Sequence, residues 1–361
     1  MPTSGPDRSF SAGSAHLLAT MNIQRLVDDA LEIAVVPSFS AIGYSVRRRL
    51  FEWVPPPADV LRGQTVLITG PTSGLGRAAT DALAGLGARI VLVGRDRERL
   101  TAVRDDLIRT HGADRFPTVV ADMASLTSVR GAVRRVLDTE ARLDVVVDNA
   151  GAIFPERTES PDGYESTFAT LVLGPFTLVA GLLPLLRSTG AARVVAVTSG
   201  GMYAQRLRLD DLQWEDAPFD GARAYAHAKR AQVVLTREWA RRVPATEVVF
   251  NAMHPGWADT PGISAALPRF YSLMDAILRT PAQGADTTVW LASDPAAGGV
   301  TGRVFLDRRP RPFDRLPMTR VSASDRRRLW EVVVGLTGVA DPAPESDRPS
   351  TTHRPLQGAT T

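Results

Sequence analysis

The 361-residue chain is 44% apolar and 22% charged with a formal net charge of +3, which is typical of a globular protein that buries a large core. The lack of cysteine excludes disulfides, thiolate catalysis and cysteine-bound zinc, and the five histidines show no metal-binding spacing. The small net charge, without basic runs interleaved with aromatic residues, argues against a nucleic-acid partner.

The N-terminal region divides into two parts. Residues 1–20 are rich in Pro, Ser, Gly and Ala and are predicted to be disordered, with Met21 as an alternative start. From Ile23 apolar residues recur at helical spacing, with Asp28, Asp29 and Glu32 on the other face, which predicts an amphipathic helix that Pro37 ends. With the basic stretch 45–53 that follows, this helix makes up a predicted extension, residues 21–58.

Two interpretations of this extension are open. Basic amphipathic stretches are found on membrane surfaces, but the acidic face of the first helix favours packing on the main domain or on a partner subunit, which we expect. No signal peptide is recognised, and no run approaches the roughly 20 apolar residues of a membrane span. We therefore expect a cytoplasmic protein.

The main domain, predicted over residues 59–337, begins with a strand, a glycine-rich turn and a helix. The β-branched run Thr65–Thr69 predicts a buried strand, and residues 77–86 predict a helix. Between them lies Gly70-Pro71-Thr72-Ser73-Gly74-Leu75-Gly76, whose N–H groups at a helix N-terminus would favour a phosphate. The spacing is GxxxGxG and not the common GxGxxG, so the turn alone is weak evidence.

The next strand, Arg89–Val93, leads to Arg95. An acidic residue at this place would bind the 2′-hydroxyl of a ribose, whereas an arginine suits a 2′-phosphate. Arg95 therefore favours NADP over NAD. The alternative is an exposed arginine before a helix over residues 96–110.

Strands and helices continue to alternate along the chain. Strands are predicted at 118–122, 143–147, 193–199, 248–253 and 302–306, and helices at 126–138, 163–186, 222–242 and 324–336. This alternation predicts an α/β fold, a doubly wound parallel sheet of the Rossmann type with about seven strands. Ligands of such sheets bind beyond the carboxyl ends of the strands. A Pro/Ser/Thr-rich tail, residues 338–361, is predicted to be disordered.

Lys229 is the only lysine in the chain, which otherwise uses arginine for its basic residues. Tyr225 precedes it by four positions and would share its face of a helix. An ammonium beside a phenol favours the phenolate, so the pair suits acid–base chemistry on a hydroxyl or carbonyl group. A Tyr and a Lys on an ordinary helix surface are the alternative.

Five motifs in order resemble the short-chain dehydrogenase/reductase family. They are TGxxxGxG at Thr69–Gly76, NAG at Asn149–Gly151, a serine after the fifth strand at Ser199, YxxxK at Tyr225–Lys229 and PGxxxT at Pro255–Thr260. The stretches 199–202, 219–221, 225–236, 254–262, 283–287 and 302–303 are similar to the dehydrogenase/reductase family member 12 type in particular. This closer resemblance covers about residues 43–336, extension included.

The resemblance implies a role for each matching position. Tyr225 would be the proton donor or acceptor, Lys229 would bind the nicotinamide ribose and lower the pKa of the phenol, and Ser199 would bind the substrate oxygen. The cofactor NADP(H) would be held by a larger set: Gly70, Thr72, Ser73, Gly74, Leu75, Gly76, Arg95, Asp122, Met123, Asn149, Ala150, Gly151, Tyr225, Lys229, Pro255, Gly256, Trp257 and Thr260. No metal ligand is implied.

Two departures from the family pattern stand out. Ser199 and Tyr225 are 26 positions apart (225 − 199), about twice the usual separation, and the extra residues are expected to form part of a substrate pocket wall. Leu171 also occupies the position of a catalytic asparagine that relatives use in a proton relay through water. Leucine forms no hydrogen bond, so we expect a slower relay or one routed differently.

We expect an NADP-dependent oxidoreductase acting on a carbonyl or alcohol of a small apolar molecule. The apolar preference rests on candidate pocket residues that could equally belong to the core or to a dimer interface: Met202, Trp257, Leu267, Phe270, Tyr271 and Met274. The alternative is a catalytically weakened NADP-binding sensor or scaffold, and a nucleotide-sugar epimerase is a poorer third. Such folds often form homo-oligomers through long helices.

Overall fold

The computed structural model describes residues 22–112, 114–260, 272 and 274–341. The predicted disordered segment 1–20, Met21, the chain beyond residue 341 and three candidate pocket residues (Leu267, Phe270 and Tyr271) lie outside the described residues. What was predicted for them stays a prediction.

The described chain is organised by one sheet whose strands run in the order β3-β2-β1-β4-β5-β6-β7-β8. Strands β1 to β7 are parallel to their neighbours, and β8 is antiparallel to β7. This confirms the doubly wound fold. The strands are β1 (Thr65–Thr69), β2 (Arg89–Gly94), β3 (Thr118–Val120), β4 (Val145–Asp148), β5 (Ala192–Val197), β6 (Val248–Met253), β7 (Arg303–Leu306) and β8 (Arg309–Arg311).

The eighth strand was not predicted, because Arg-Pro-Arg is neither apolar nor alternating. It follows β7 through Asp307 and Arg308, whose φ angles of 55° and 58° are those of a two-residue hairpin turn. This turn places the carboxylate of Asp307 under the N-terminal extension, where it forms an ion pair with Arg47.

Helices cover both faces of the sheet. They are α1 (22–33), α2 (Val35–Phe39), α3 (Ala41–Leu50), α4 (Gly74–Gly85), α5 (Arg97–His111), α6 (Leu126–Thr139), α7 (Ser166–Thr189), α8 (Gly221–Arg242), α9 (Pro281–Ser293) and α10 (Ala323–Thr337). Helices α4, α5 and α9 bury apolar side chains on one face, and α6, α7, α8 and α10 do so on the other. The strands supply both cores because successive side chains point to opposite faces: Leu67 joins one core and Val66 the other.

The prediction that no stretch of the chain approaches the length and composition of a membrane span was wrong for helix α7. By length and composition, Ser166–Thr189 meets the criteria for a membrane span, with a mean hydropathy of 2.0 over its most apolar window. That window is 72% buried inside the fold, because the helix packs between β4, β5 and the neighbouring helices. Its hydropathy is therefore accounted for by the core of a parallel-sheet protein.

The N-terminal extension packs on the main domain, as one interpretation predicts, and its first helix buries an acidic residue there while apolar residues stay exposed. Asp28 of α1 is buried and forms ion pairs with Arg47 at 2.7 Å and with Arg311 at 2.9 Å. The apolar residues Leu26 and Ile33 are 70% and 84% exposed. Asp28 and Glu32 are thus used in internal ion pairs while Asp29 is exposed, so the acidic face no longer argues against a membrane contact.

The prediction that Pro37 ends the first helix was also wrong. The helical run breaks at Ala34 and resumes at Val35, so Pro37 lies inside the first turn of α2 and does not end the helix. Proline is tolerated there because the amide of that position has no partner within the helix. The short helix brings Phe39 over the carboxyl end of the sheet, where it contacts residues after β5 and β6.

Candidate active site

The glycine-rich turn after β1 has the shape of an anion cradle. Gly70 and Gly74 have φ angles of +67° and +52°, which disfavour other residues, and a Cβ on Gly76 would overlap the carbonyl oxygen of Gly70. Ser73 stands at the N-cap of α4 without a side-chain capping bond, and no acidic residue lies in the first turn. The N–H groups of this helix end are therefore available to a pyrophosphate, which fits a dinucleotide.

Asn149 fastens this turn to the end of β4. Its side-chain amide donates to the carbonyl oxygens of Thr69 at 3.0 Å and Gly70 at 3.2 Å. The backbone amides of Asn149 and Ala150 both donate to the Thr69 hydroxyl, at 3.0 and 2.9 Å. The Asn149 side chain is thus used to hold the cradle, and the backbone of Ala150 and Gly151 forms the adjacent floor.

The residues predicted for the adenosine end lie at the same edge of the sheet. Arg95 follows β2 directly, is exposed and has no ion-pair partner among the described residues. Asp122 follows β3, and its carboxylate accepts the amide of Ala124 at 2.9 Å. Met123 is buried and packs closely against Gly174 of α7. Because Gly94 pairs with Val120, Arg95 and Asp122 follow neighbouring strands one and two residues beyond the last pair.

Ser199, Tyr225 and Lys229 meet beyond the carboxyl ends of β4 and β5. Asp220 caps α8 by accepting the amide of Arg223 at 3.0 Å, and the helix then places Tyr225 and Lys229 on one face. Ser199 lies close enough to Tyr225 to lower the pKa of its phenol. The Lys229 ammonium lies 5.8 Å from the centre of the Tyr225 ring. The predicted catalytic residues are therefore brought together.

The pKa of Tyr225 is raised, whereas Lys229 was expected to lower it. Burial raises the pKa of the phenol to about 12, and only the nearby Ser199 opposes that rise. Lys229, which was expected to lower the pKa, directs its ammonium to the carbonyl of Val197 at 2.7 Å. In the protein alone Tyr225 is thus a protonated group, in the state required of a proton donor.

With this geometry in view, comparison with known proteins identifies the family. The sequence matches the family model described as short chain dehydrogenase over residues 64–267. The chain is 40% identical over 286 residues to dehydrogenase/reductase SDR family member 12 of Bos taurus, covering 78% of this chain and 89% of that protein. The chain belongs to the short-chain dehydrogenase family. The resemblance to the member 12 type is confirmed with it.

Two further proteins extend the comparison. The dehydrogenase is 36% identical over 298 residues to retinol dehydrogenase 14 of Mus musculus, covering 78% of this chain and 87% of that protein. Its fold is similar to the RhlG/NADP active-site complex of Pseudomonas aeruginosa with a TM-score of 0.57 and 26% identity, over 69% of this chain and 96% of the other. This membership indicates an oxidoreductase of carbonyl and alcohol groups with a nicotinamide cofactor.

Two residues that were not singled out from sequence complete the surroundings of Lys229. The ammonium of the dehydrogenase's lysine donates to the Gln232 side-chain oxygen at 3.1 Å, and the Gln232 amide nitrogen donates to Asp148 at 2.5 Å. Two features of the sequence could have identified these residues. Gln232 lies three positions after Lys229 on the same helix face, and Asp148 is the acidic last residue of the otherwise apolar strand β4.

Leu171 lies where the resemblance placed it, beside the catalytic group. It is fully buried, and a Cβ on Gly151 would lie 3.0 Å from Leu171 Cδ2 and 3.9 Å from the Lys229 ammonium. The segment Ala169–Leu173 of α7 is π-helical, with Leu171 at its centre. Such single-turn irregularities inside α-helices are frequent at functional sites. Position 171 thus places an apolar side chain against Gly151, a residue that also lies close to the Lys229 ammonium.

The loop after β6 is held by the N-terminal extension. The amide of Trp257 donates to the carbonyl of Phe39 at 2.7 Å, and the Arg279 side chain donates to the same carbonyl at 3.0 Å. A Cβ on Gly256, where φ is +71°, would lie 2.5 Å from that carbonyl oxygen. Pro255 is buried and Thr260 is partly exposed. The predicted nicotinamide-side loop therefore depends on residues far away in sequence.

The predicted pocket residues fall into different environments. Met202 belongs to the core, where it is fully buried in the same cluster as Phe39. Trp257 is partly exposed at the site, and Met274 is partly exposed as well. The extra residues between Ser199 and Tyr225 begin with a short 3-10 turn, Gly200–Ala204, whose first glycine contacts the ring of Phe39. Among the described residues no cluster of metal-ligating side chains is found.

Proposed function

We propose that this protein is an NADP(H)-dependent oxidoreductase that interconverts a carbonyl and an alcohol on a small apolar molecule. The observation that carries the proposal is the meeting of Ser199, Tyr225 and Lys229 at one end of the sheet, with the buried Lys229 ammonium 5.8 Å from the centre of the Tyr225 ring. Family membership supports the oxidoreductase class, and the site residues support the particular roles.

The roles follow from where each group lies. A nicotinamide cofactor supplies or accepts the hydride. In the reducing direction Tyr225 donates its proton to the oxygen of the substrate, because it is protonated and lies next to Ser199. Ser199 holds that oxygen by donating a hydrogen bond. The cradle at Gly70, Gly74 and Gly76 binds the pyrophosphate, and Lys229 binds the ribose next to it.

The preference for NADP rests on Arg95. An exposed guanidinium without an ion-pair partner in the described chain, placed at the end of β2, suits a 2′-phosphate. Retinol dehydrogenase 14 is named for an apolar alcohol, which agrees with the apolar substrate. A cytoplasmic location and a homo-oligomer complete the proposal.

The proposal is tested first by fluorescence titration of the purified protein with NADPH and with NADH. We expect NADPH to bind more tightly, and Arg95→Ala to weaken NADPH about tenfold, because a charge-assisted bond contributes about 1.5 kcal/mol, without weakening NADH. Arg97→Ala, an exposed arginine two positions later, is the matched control. Equal loss of both cofactors would contradict the role of Arg95.

Catalysis is tested with Tyr225→Phe. We expect carbonyl reduction to fall at least about 100-fold with NADPH binding retained, because only the proton donor is lost. Tyr164→Phe is the control, since its hydroxyl donates to the Leu336 carbonyl at 3.0 Å far from the site. Trace activity that Tyr225→Phe leaves unchanged would favour the alternative, a catalytically weakened NADP-binding sensor, for which the apolar Leu171 beside Lys229 is the supporting observation.

A further inference from the structure

The sole lysine of the chain is held in a defined position inside the protein. Lys229 is only 2% exposed, and its ammonium donates to the Val197 carbonyl at 2.7 Å and to Gln232 Oε1 at 3.1 Å. The backbone of the same residue is tied to β5, because the Thr198 hydroxyl donates to the Lys229 carbonyl at 3.1 Å. A buried ammonium is costly unless its donors are used and a negative charge is near.

Gln232 connects this ammonium to the charge that it needs. Its oxygen accepts from Lys229, while its nitrogen donates to Asp148 Oδ2 at 2.5 Å. Only this orientation of the Gln232 amide directs its oxygen, an acceptor, to the ammonium and its nitrogen, a donor, to the carboxylate. Lys229, Gln232 and Asp148 therefore form a continuous line from the face of the Tyr225 ring to the end of β4.

Among the described residues, Gln232 is the side chain that accepts a hydrogen bond from the ammonium, whose other acceptor is the backbone carbonyl of Val197. A small cavity next to Asp148 and Gln232 is otherwise lined largely by apolar side chains, among them Leu171, Val172 and Phe176. Leu171 lies next to Gly151, which is also close to the ammonium. Within the described chain, Gln232 and Asp148 are thus the side chains that supply a hydrogen bond and a negative charge to Lys229.

We propose that Gln232 and Asp148 are positioning residues that fix the Lys229 ammonium and keep it charged, in place of a hydrogen-bonding side chain at position 171. This rests on the proposed function, in which Lys229 binds the ribose beside Tyr225. The pair acts through Lys229 and does not touch the substrate. The pair explains how Lys229 is held and kept charged although position 171 of helix α7 is a leucine, which forms no hydrogen bond.

Charge considerations give the direction of each effect. Burial lowers the pKa of Lys229 to about 8, and the carboxylate of Asp148 opposes that decrease. Burial raises the pKa of Asp148 to about 6, against the charge of Lys229 and the hydrogen bonds of Gln232 and Thr69. Near neutral pH both groups are therefore charged. Among the described residues, the other ionisable group near the ammonium is Tyr225 on the same helix, and it is neutral in this range.

The test uses the fact that the chain has one lysine. Protein labelled with ¹⁵Nζ-lysine gives a single side-chain signal, so the titration of Lys229 is followed directly by NMR in the full chain without substrate. In Asp148→Asn we expect the midpoint to move down by at least about one pH unit, a tenfold change in the protonation equilibrium, because the opposing carboxylate is removed. Gln232→Met is expected to move it in the same direction.

Two more variants keep the test decisive if Asp148→Asn does not fold. Gln232→Glu keeps the shape of the side chain and adds a negative charge next to the ammonium, so the midpoint should move up. Thr236→Val is the matched control, since it lies one turn later on α8, lines the same cavity and bonds only the Gln232 carbonyl, at 2.9 Å. Unchanged midpoints in Gln232→Met and Gln232→Glu would overturn the proposal.

A parallel assay separates this inference from the proposed function. The high-pH limit of carbonyl reduction should follow the NMR midpoint from variant to variant, because the ribose needs a charged Lys229. If the midpoints shift but the protein reduces no carbonyl, the positioning role of Gln232 and Asp148 is supported and the proposed oxidoreductase function is refuted. Normal reduction in every variant, with unshifted midpoints, would refute the pair alone.

Discussion

The carbonyl of Phe39 accepts the backbone amide of Trp257 at 2.7 Å, although the two residues are more than 200 positions apart. The ring of Phe39 also lies where a Cβ of Gly200 would be 2.5 Å from it, directly after Ser199. One residue of the N-terminal extension therefore touches both the catalytic serine loop and the loop predicted to meet the nicotinamide. The extension is part of the walls of the site.

This contact predicts that the extension supports both stability and cofactor binding. We expect Phe39→Ala to lower the free energy of unfolding by about 3 to 5 kcal/mol, because a buried ring is lost, and to weaken NADPH binding severalfold. Denaturant unfolding and fluorescence titration measure the two effects. Ile33→Ala, 84% exposed in the same extension, should change neither. Full NADPH affinity in a folded Phe39→Ala would contradict the link to the site.

A second prediction concerns the arginine that anchors the extension. Arg47 is fully buried and forms ion pairs with Asp28 at 2.7 Å and Asp307 at 2.8 Å. Arg47→Ala leaves these carboxylates without one of their partners, so we expect the free energy of unfolding to fall by about 3 to 5 kcal/mol. The neighbouring exposed Arg48→Ala should change it by no more than about 0.5 kcal/mol. Equal denaturation midpoints for the two variants would contradict this account.

Much of the fold and of the site could be predicted because their signals are local. The strand Thr65–Thr69 is a β-branched apolar run next to glycines, and its observed bounds are those predicted. The cradle after it depends on backbone conformations that glycine alone adopts readily, as the positive φ of Gly70 and Gly74 shows. Tyr225 and Lys229 share a face because helical spacing requires it.

The remaining features depend on tertiary contacts that no local pattern encodes. Asp28 follows the expected helical spacing, but its direction is set by Arg47 and Arg311, which lie 19 and 283 positions away. Gln232 gains its role only because α8 places it beside Asp148, at the end of a strand 84 positions earlier. Polar residues whose partners are distant in sequence were therefore the ones whose function or orientation was missed.

A third prediction addresses Leu171. Leu171→Asn places an amide in a fully buried apolar position, so we expect the free energy of unfolding to fall by about 2 to 5 kcal/mol. Leu171→Met, which keeps the volume, should cost less than about 1.5 kcal/mol. Because the amide would lie next to Gly151 near Lys229, the turnover of Leu171→Asn should also depend differently on pH. Turnover equal to that of the unaltered protein at every pH would contradict a role for this position.

The last prediction concerns the pH dependence of stability. His254 is fully buried between the rings of Phe39 and Tyr203, with centroid distances of 4.7 and 5.6 Å. Burial, together with the charge of Arg279, lowers its pKa from 6.5 to about 3. Between these two values the unfolded chain binds a proton that the folded protein does not. The free energy of unfolding therefore decreases as the pH falls below 6.5.

At pH 5 this one group should cost about 2 kcal/mol relative to pH 7.5, because each pH unit below 6.5 corresponds to about 1.4 kcal/mol. His227 contributes in the same window, since burial and Arg208 lower its pKa to about 4. Denaturant unfolding at both pH values measures the loss. In His254→Phe, which keeps an aromatic ring in an aromatic site, the loss between pH 7.5 and 5 should shrink by about 2 kcal/mol. The same loss in the variant and in the unaltered protein would show that His254 does not stay neutral in the fold.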